Sequence, residues 1–120
     1  LYMPTANRTI SIVYSSGPPA GTQTVTAAEN TASPASVTVQ TLSSGFNSVT
    51  VPSSTGVTVT AVTVVPPAGN TTSITVKGVT GDTGIRLHNT DPTSLSIFSD
   101  VTAVGLTAGA AIQGVRFYWT

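Results

Sequence analysis

The stretch GVTVTAVTVVPPAGNTTSITVKGV, residues 56–79, alternates apolar residues with threonine and decides the fold. Alternation with a period of two predicts strands that bury one face. The phase slips by one residue at Ala61 and Val62, which indicates a β-bulge or a strand that crosses from one sheet to another. Turn residues at 66–70 (PPAGN) divide the stretch, and Ile74 resumes the buried face. These features predict a long hairpin at the centre of an all-β domain.

Shorter alternating segments follow one another through the rest of the chain. They predict about eight to ten short strands with turns every 8–12 residues and no substantial helix, as in an antiparallel β-sandwich. Both a jelly-roll and an immunoglobulin-like topology fit this pattern. Residues 1–8 are interpreted as an extended N-terminal arm, because Pro4 disfavours helix before it. Residues 9–120 are interpreted as the single β-sandwich domain.

Individual segments carry narrower predictions. A first strand is predicted over residues 8–14, a short strand over 22–27 and an irregular segment over 28–34. In the last strand, GVRFYWT, the alternation sends one set of side chains into the core and the other set outward. The inward set is Val115, Phe117 and Trp119, and the outward set is Arg116 and Tyr118.

Charge is the unusual feature of the composition. Asp, Glu, Lys and Arg make up 7% of the residues, against about 25% in ordinary soluble domains. Four cations balance four anions, so we expect no basic surface for nucleic acid. A net charge of zero gives little repulsion between copies and favours a homo-oligomer. Cysteine is absent, which excludes thiol chemistry and disulfides, and no apolar run reaches the roughly 18 residues of a membrane span.

Candidate catalytic and metal-binding residues are few, and we predict no enzyme, no cofactor and no catalytic residue. His88 is the only histidine, and no serine lies in a G-x-S-x-G elbow, so a loop histidine bonded to its neighbours is the better interpretation. Asp82, Asp91 and Asp100 are weak metal candidates. They lie nine residues apart without a calcium-loop pattern, and turn capping accounts for all three.

Apolar and aromatic residues outside the predicted core are candidates for protein contacts. Leu1, Tyr2 and Met3 need a partner if they lie on an extended arm, and Tyr118 is predicted to face outward. A carbohydrate-binding module would need a flat row of exposed aromatics. Core packing accounts for Phe117 more simply.

The second half of the chain resembles small structural proteins of tailed-phage virions. The resemblance covers roughly residues 56–120. It is carried by PPAGN (66–70), ITVKGVTGDTGIRLHNTDPTSLSI (74–97) and LTAGAAIQGVRFYWT (106–120). Such proteins sit on capsids as decoration or cement subunits, or in tails. The resemblance therefore implies a β-rich virion protein whose partners are its own copies and a capsid or tail protein.

Three hypotheses follow from the sequence. The first is a virion structural subunit, located on the particle, that stabilises a protein lattice through β-rich contacts. The second is a cell-surface filament or adhesin subunit that donates an N-terminal strand to a neighbour. The third is a carbohydrate-binding module.

Overall fold

The computed structural model describes residues 6–14, 23–31, 36–53 and 58–120, the first two ranges by their backbone alone. These residues form ten β-strands and no helix, so the predicted all-β class is confirmed. None of them belongs to a helix that could cross a membrane. In chain order the strands are β1 (Ala6–Tyr14), β2 (Gln23–Thr31), β3 (Ser36–Leu42), β4 (Gly45–Thr50), β5 (Ala61–Val65), β6 (Ile74–Lys77), β7 (Ile85–Arg86), β8 (Thr93–Ser96), β9 (Ala103–Ala108) and β10 (Ile112–Trp119).

Strands β1 and β2 form a two-stranded antiparallel sheet. Their pairing runs from Ala6 opposite Thr31 to Tyr14 opposite Gln23. The prediction of an irregular segment over 28–34 is wrong as far as residue 31, because pairing with β1 continues the strand there. Residues 1–5 of the predicted arm lie outside the described residues, and residues 6–8 open β1. The division into arm and domain stays a prediction.

The other eight strands form a sandwich of two four-stranded antiparallel sheets. Sheet I has the order β3-β10-β5-β8, and sheet II has the order β4-β9-β6-β7. The pairs β3–β10, β4–β9, β5–β8 and β6–β7 are nested, as in one long hairpin rolled up on itself. Pairing of β10 with β5 and of β6 with β9 completes the sheets. This strand order is that of a jelly roll rather than an immunoglobulin-like sandwich.

The core lies between the two sheets and is almost entirely aliphatic. Phe117 and Trp119 on β10 are its largest fully buried side chains together with Leu42, and the two rings stack with centroids 5.8 Å apart. The buried set confirms the predicted inward face of β10 and the predicted burial of Ile74. Its remaining members are Val49, Val51, Val59, Ala61, Val62, Val64, Val104, Leu106, Ala108, Ile112 and Val115.

The phase slip predicted at the start of β5 corresponds to a bulge. The backbone N–H groups of Thr60 and Ala61 both donate to the carbonyl of Thr120, at 2.8 and 3.1 Å. Two consecutive residues thus oppose one, which is the pattern of a β-bulge. The bulge lets Val59 and Val62, which are three residues apart, both be buried.

The predicted central hairpin is wrong. Strand β5 belongs to sheet I and β6 to sheet II, so residues 66–73 cross from one sheet to the other. Asn70 stabilises this crossing, because its Nδ2 donates to the carbonyls of Thr72 and Asn89, each at 2.8 Å. Alternation correctly identified two strands with buried faces, but it carries no information about which strand each one pairs with.

Candidate interaction surface

The indole of Trp119 fixes the orientation of β3. Its Nε1–H donates to Thr38 Oγ1 at 2.9 Å. A buried indole N–H needs such an acceptor, and this contact turns Thr38 towards the core. Because side chains alternate along a strand, Val37 and Val39 must then face solvent.

The outward side chains of β3 and β10 form one surface with three apolar or aromatic members and one cation, which we call the β3–β10 surface and define as Val37, Val39, Arg116 and Tyr118. Tyr118 lies directly opposite Val37, and Arg116 lies opposite Val39. Val37 is 55% exposed, Val39 66% and Tyr118 37%. Cross-strand neighbours on one face are close enough to act together, so these side chains form a continuous surface rather than isolated exposed residues.

The β3–β10 surface also lies at an open sheet edge. Strand β3 is the outermost strand of sheet I, and β10 is its one partner among the described strands. Its sequence, SVTVQTL, has no charged residue and no proline, which are the usual devices that block pairing with another chain. Of the two edge strands of sheet II, β4 also has no charged residue and no proline, whereas β7 carries Arg86 and lies beside Lys77 at the end of β6.

Among the predicted contact residues, Tyr118 lies on this surface, whereas Leu1, Tyr2 and Met3 lie outside the described residues. Phe117 is buried, as predicted. The other exposed aromatic residues in the described part of the chain are Phe46, on sheet II, and Phe98, in the turn after β8. Tyr118 therefore has no aromatic neighbour on the β3–β10 surface with which to form a flat row.

The three aspartates lie in separate exposed turns. Asp82 Oδ2 accepts hydrogen bonds from the backbone N–H groups of Gly78 and Val79, both at 3.0 Å. This is the turn-capping role predicted for Asp82. Asp91 and Asp100 lie in the turns before and after β8. Within the described ranges no three residues of the metal-binding types are grouped so that they could hold an ion.

His88 is bonded to its own turn, as predicted. Its Nδ1 accepts hydrogen bonds from the backbone N–H groups of Asp91, at 2.9 Å, and Thr90, at 3.2 Å. The Asp91 carboxylate lies 3.6 Å from the same nitrogen. Because Nδ1 is already engaged by two donors, the ring is held in place as a turn residue.

Sequence reasoning named Tyr118 but missed Val37 and Val39 as surface residues. Alternation places the two valines on one face, but it does not say which face is buried. A sequence signal for the buried face of β3 was the single tryptophan, because a buried indole N–H needs an acceptor such as a threonine hydroxyl.

No protein-family model, no curated protein and no solved structure matches this chain. The likeness to phage virion proteins accordingly depends on the quoted residues of the second half alone.

Proposed function

We propose that this chain is a virion structural protein, a capsid decoration or cement subunit that joins a protein lattice through the β3–β10 surface. The observation that supports the proposal most directly is an uncharged edge strand bearing two exposed valines, with a tyrosine beside them. In this proposal the chain is not an enzyme, and its location is the virus particle.

An open edge of this kind suits contact with another polypeptide. Unpaired backbone N–H and C=O groups along β3 can pair with an extended segment, and the outward side chains can pack against it. The near absence of charge removes the repulsion that would keep copies apart. Repetition over a lattice then supplies avidity, so that a modest contact suffices for each copy.

The fold supports the proposal by analogy. Jelly-roll sandwiches occur in viral capsid proteins and also in lectins, and a fold alone does not specify a function. The resemblance of residues 56–120 to phage virion proteins favours the first of these two uses. The lack of an aromatic row beside Tyr118 gives no support to a sugar-binding surface.

Co-sedimentation with assembled particles encoded by the same genome tests the proposal. We expect the chain to sediment with particles, and we expect Val39→Lys to weaken binding at least about tenfold, the effect of losing a central contact. Ile85→Lys is the matched control, because Ile85 is 72% exposed on the edge strand of the other sheet. It should bind as the unchanged chain does.

Two results would contradict the proposal. One is a monodisperse monomer that neither self-associates nor sediments with particles. The other is an equal loss of binding in the Val39 and Ile85 variants, which would mean that the β3–β10 surface is not the contact. Circular dichroism of both variants checks that each is folded.

A further inference from the structure

A cavity opens at one end of the sandwich, next to sheet I. It is lined by residues 65–68, which end β5 and begin the crossing to sheet II, by Thr90 from the turn between β7 and β8, and by Gly114 and Arg116 of β10. The cavity is open to solvent, because Ala68, Thr90 and Arg116 in its lining are exposed, and its volume is about 530 Å³, within the range of about 300–1,000 Å³ common for small-molecule sites. Three separate segments of the chain therefore meet around one space.

An irregularity in β10 keeps this cavity open. The register of β10 against β3 shifts between Ile112 and Val115, and Gly114 within the shift has a φ of +77°. That backbone conformation favours glycine over other residues. No atom lies within 4 Å of the position that a Cβ of Gly114 would occupy, so neither a side chain nor a neighbouring segment fills this wall.

The walls of the cavity offer few polar groups. Residues 65–68 are Val-Pro-Pro-Ala, and the two prolines have no N–H to donate. The polar side chains are the hydroxyl of Thr90 and the guanidinium of Arg116. Most of the lining is thus apolar, with one positive charge at its side.

Arg116 has no partner for its charge within the part of the chain that the structure describes. No described carboxylate lies within ion-pair distance of it, and the guanidinium takes part in none of the hydrogen bonds between described residues. Arg116 lies between Val39 on β3 and Val65 on β5, so apolar side chains flank it as well. Its five N–H donors are available to a ligand.

We propose that this cavity binds a carboxylate carried on an apolar body. The guanidinium of Arg116 matches a carboxylate with two parallel hydrogen bonds, and the proline wall receives the hydrocarbon part. The hydroxyl of Thr90 also lines the cavity, but it lies 3.4 Å from His88 Nδ1 within its own turn, so the ligand contact is assigned to Arg116 alone.

A titration of the ¹⁵N-labelled chain, residues 1–120, with hexanoate tests the site. We expect saturable shifts of the backbone amides of Ala68, Thr90 and Gly114. Hexanamide, which has the same body without the charge, should bind roughly ten- to hundred-fold more weakly, the effect of losing charged hydrogen bonds. Glucuronate keeps the carboxylate but replaces the apolar body with a polar one, and it should bind more weakly than hexanoate.

Variants of Arg116 test whether its guanidinium binds the carboxylate of the ligand. Arg116→Gln should lose roughly ten- to hundred-fold in affinity for hexanoate, and Arg116→Lys should lose less because the charge remains. Arg86→Gln is the matched control, since Arg86 is exposed on sheet II and does not line the cavity. It should bind like the unchanged chain.

Each of several results would overturn the proposal: no saturable shifts at the three amides, equal binding of hexanamide, tighter binding of glucuronate, or an equal loss in the Arg86 variant. The comparison of hexanoate, hexanamide and glucuronate needs no variant. It therefore tests the site even if a substitution of Arg116 does not fold. Particle binding through Val39 is measured separately, so failure of one proposal is distinguishable from failure of the other.

Discussion

Thr38 shows how one polar atom determines which face of a strand is buried. Valine is the more apolar residue, and hydrophobicity alone would place Val37 and Val39 in the core. The opposite arrangement occurs because Thr38 Oγ1 accepts the hydrogen bond of the Trp119 indole. The same face carries Leu42, which is fully buried, and an indole N–H left without a partner would cost about 1–3 kcal/mol.

Thr38→Val should therefore destabilise the protein, although valine has nearly the same shape and a high strand propensity. We expect a loss of about 1–3 kcal/mol in the free energy of unfolding, the cost of an unpaired buried donor. Urea denaturation followed by far-ultraviolet circular dichroism measures it. Thr41→Val on the same strand is the control, because Thr41 is exposed and its change should stay within about 0.5 kcal/mol. Equal midpoints for the two variants would show that the Trp119 contact has no energetic role.

Close approach of neighbouring strands in sheet II depends on Gly105 of β9. The ring of Phe46 on β4 covers this position. A methyl group at residue 105 would meet Phe46 Cε2 at 2.8 Å and the backbone carbonyl oxygen of Lys77 at 2.5 Å. The Phe46 ring thus fills the gap that the glycine leaves on the outer face. Strands β4, β9 and β6 can approach one another closely here because residue 105 has no side chain.

Gly105→Ala should destabilise the sandwich by about 1–3 kcal/mol, the usual cost of overpacking. Gly81→Ala is the control, since no atom lies within 4 Å of its Cβ position, and it should be close to neutral. The double variant Gly105→Ala with Phe46→Ala removes the ring but leaves the Lys77 carbonyl. It should therefore remain less stable than Phe46→Ala alone in urea denaturation. A double variant as stable as Phe46→Ala alone would contradict this account of the backbone contact.

The alternating pattern predicts strands better than it predicts their partners. It located β10 and its buried face, because Val115, Phe117 and Trp119 repeat at every second position. It did not reveal that residues 66–73 cross between sheets, since a proline-rich turn suits a hairpin and a crossing equally. Pairing is decided by contacts between distant segments, which no local pattern contains.

The same limit applies to the candidate sites. Tyr118 could be predicted to face outward from the alternation of its own strand. The cavity beside Arg116 could not be predicted, because it joins residues 65–68, Thr90 and Gly114 from three separate parts of the chain. The bulge at Gly114 that opens it depends on the register between β10 and β3, and a sequence does not state a register.

At the scale of the whole molecule, the nested pairing makes β10 indispensable for holding sheet I together. It lies between β3 and β5 in sheet I, and it carries Val115, Phe117 and Trp119 into the core. Without it, sheet I would separate into an isolated edge strand and the β5–β8 pair. Two-stranded units are marginally stable in water at best.

Deletion of residues 115–120 should therefore abolish cooperative unfolding, as measured by urea titration and circular dichroism. Insertion of six glycine and serine residues after Gly81 is the control of equal length, because it lengthens an exposed turn. The insertion should cost no more than about 1 kcal/mol, as loop extensions generally do. A truncated chain that still unfolds cooperatively would show that β10 is not essential to the roll.

The contact between Trp119 and Thr38 can also be followed by the intrinsic fluorescence of the tryptophan. The chain has a single tryptophan, and that residue joins the first and last strands of the sandwich. Its fluorescence in the native state should come from apolar surroundings, at short wavelength, and should shift to the red once water reaches the ring. Because Trp119 is the single tryptophan, its emission wavelength reports on the contact between β3 and β10 during folding without any added label.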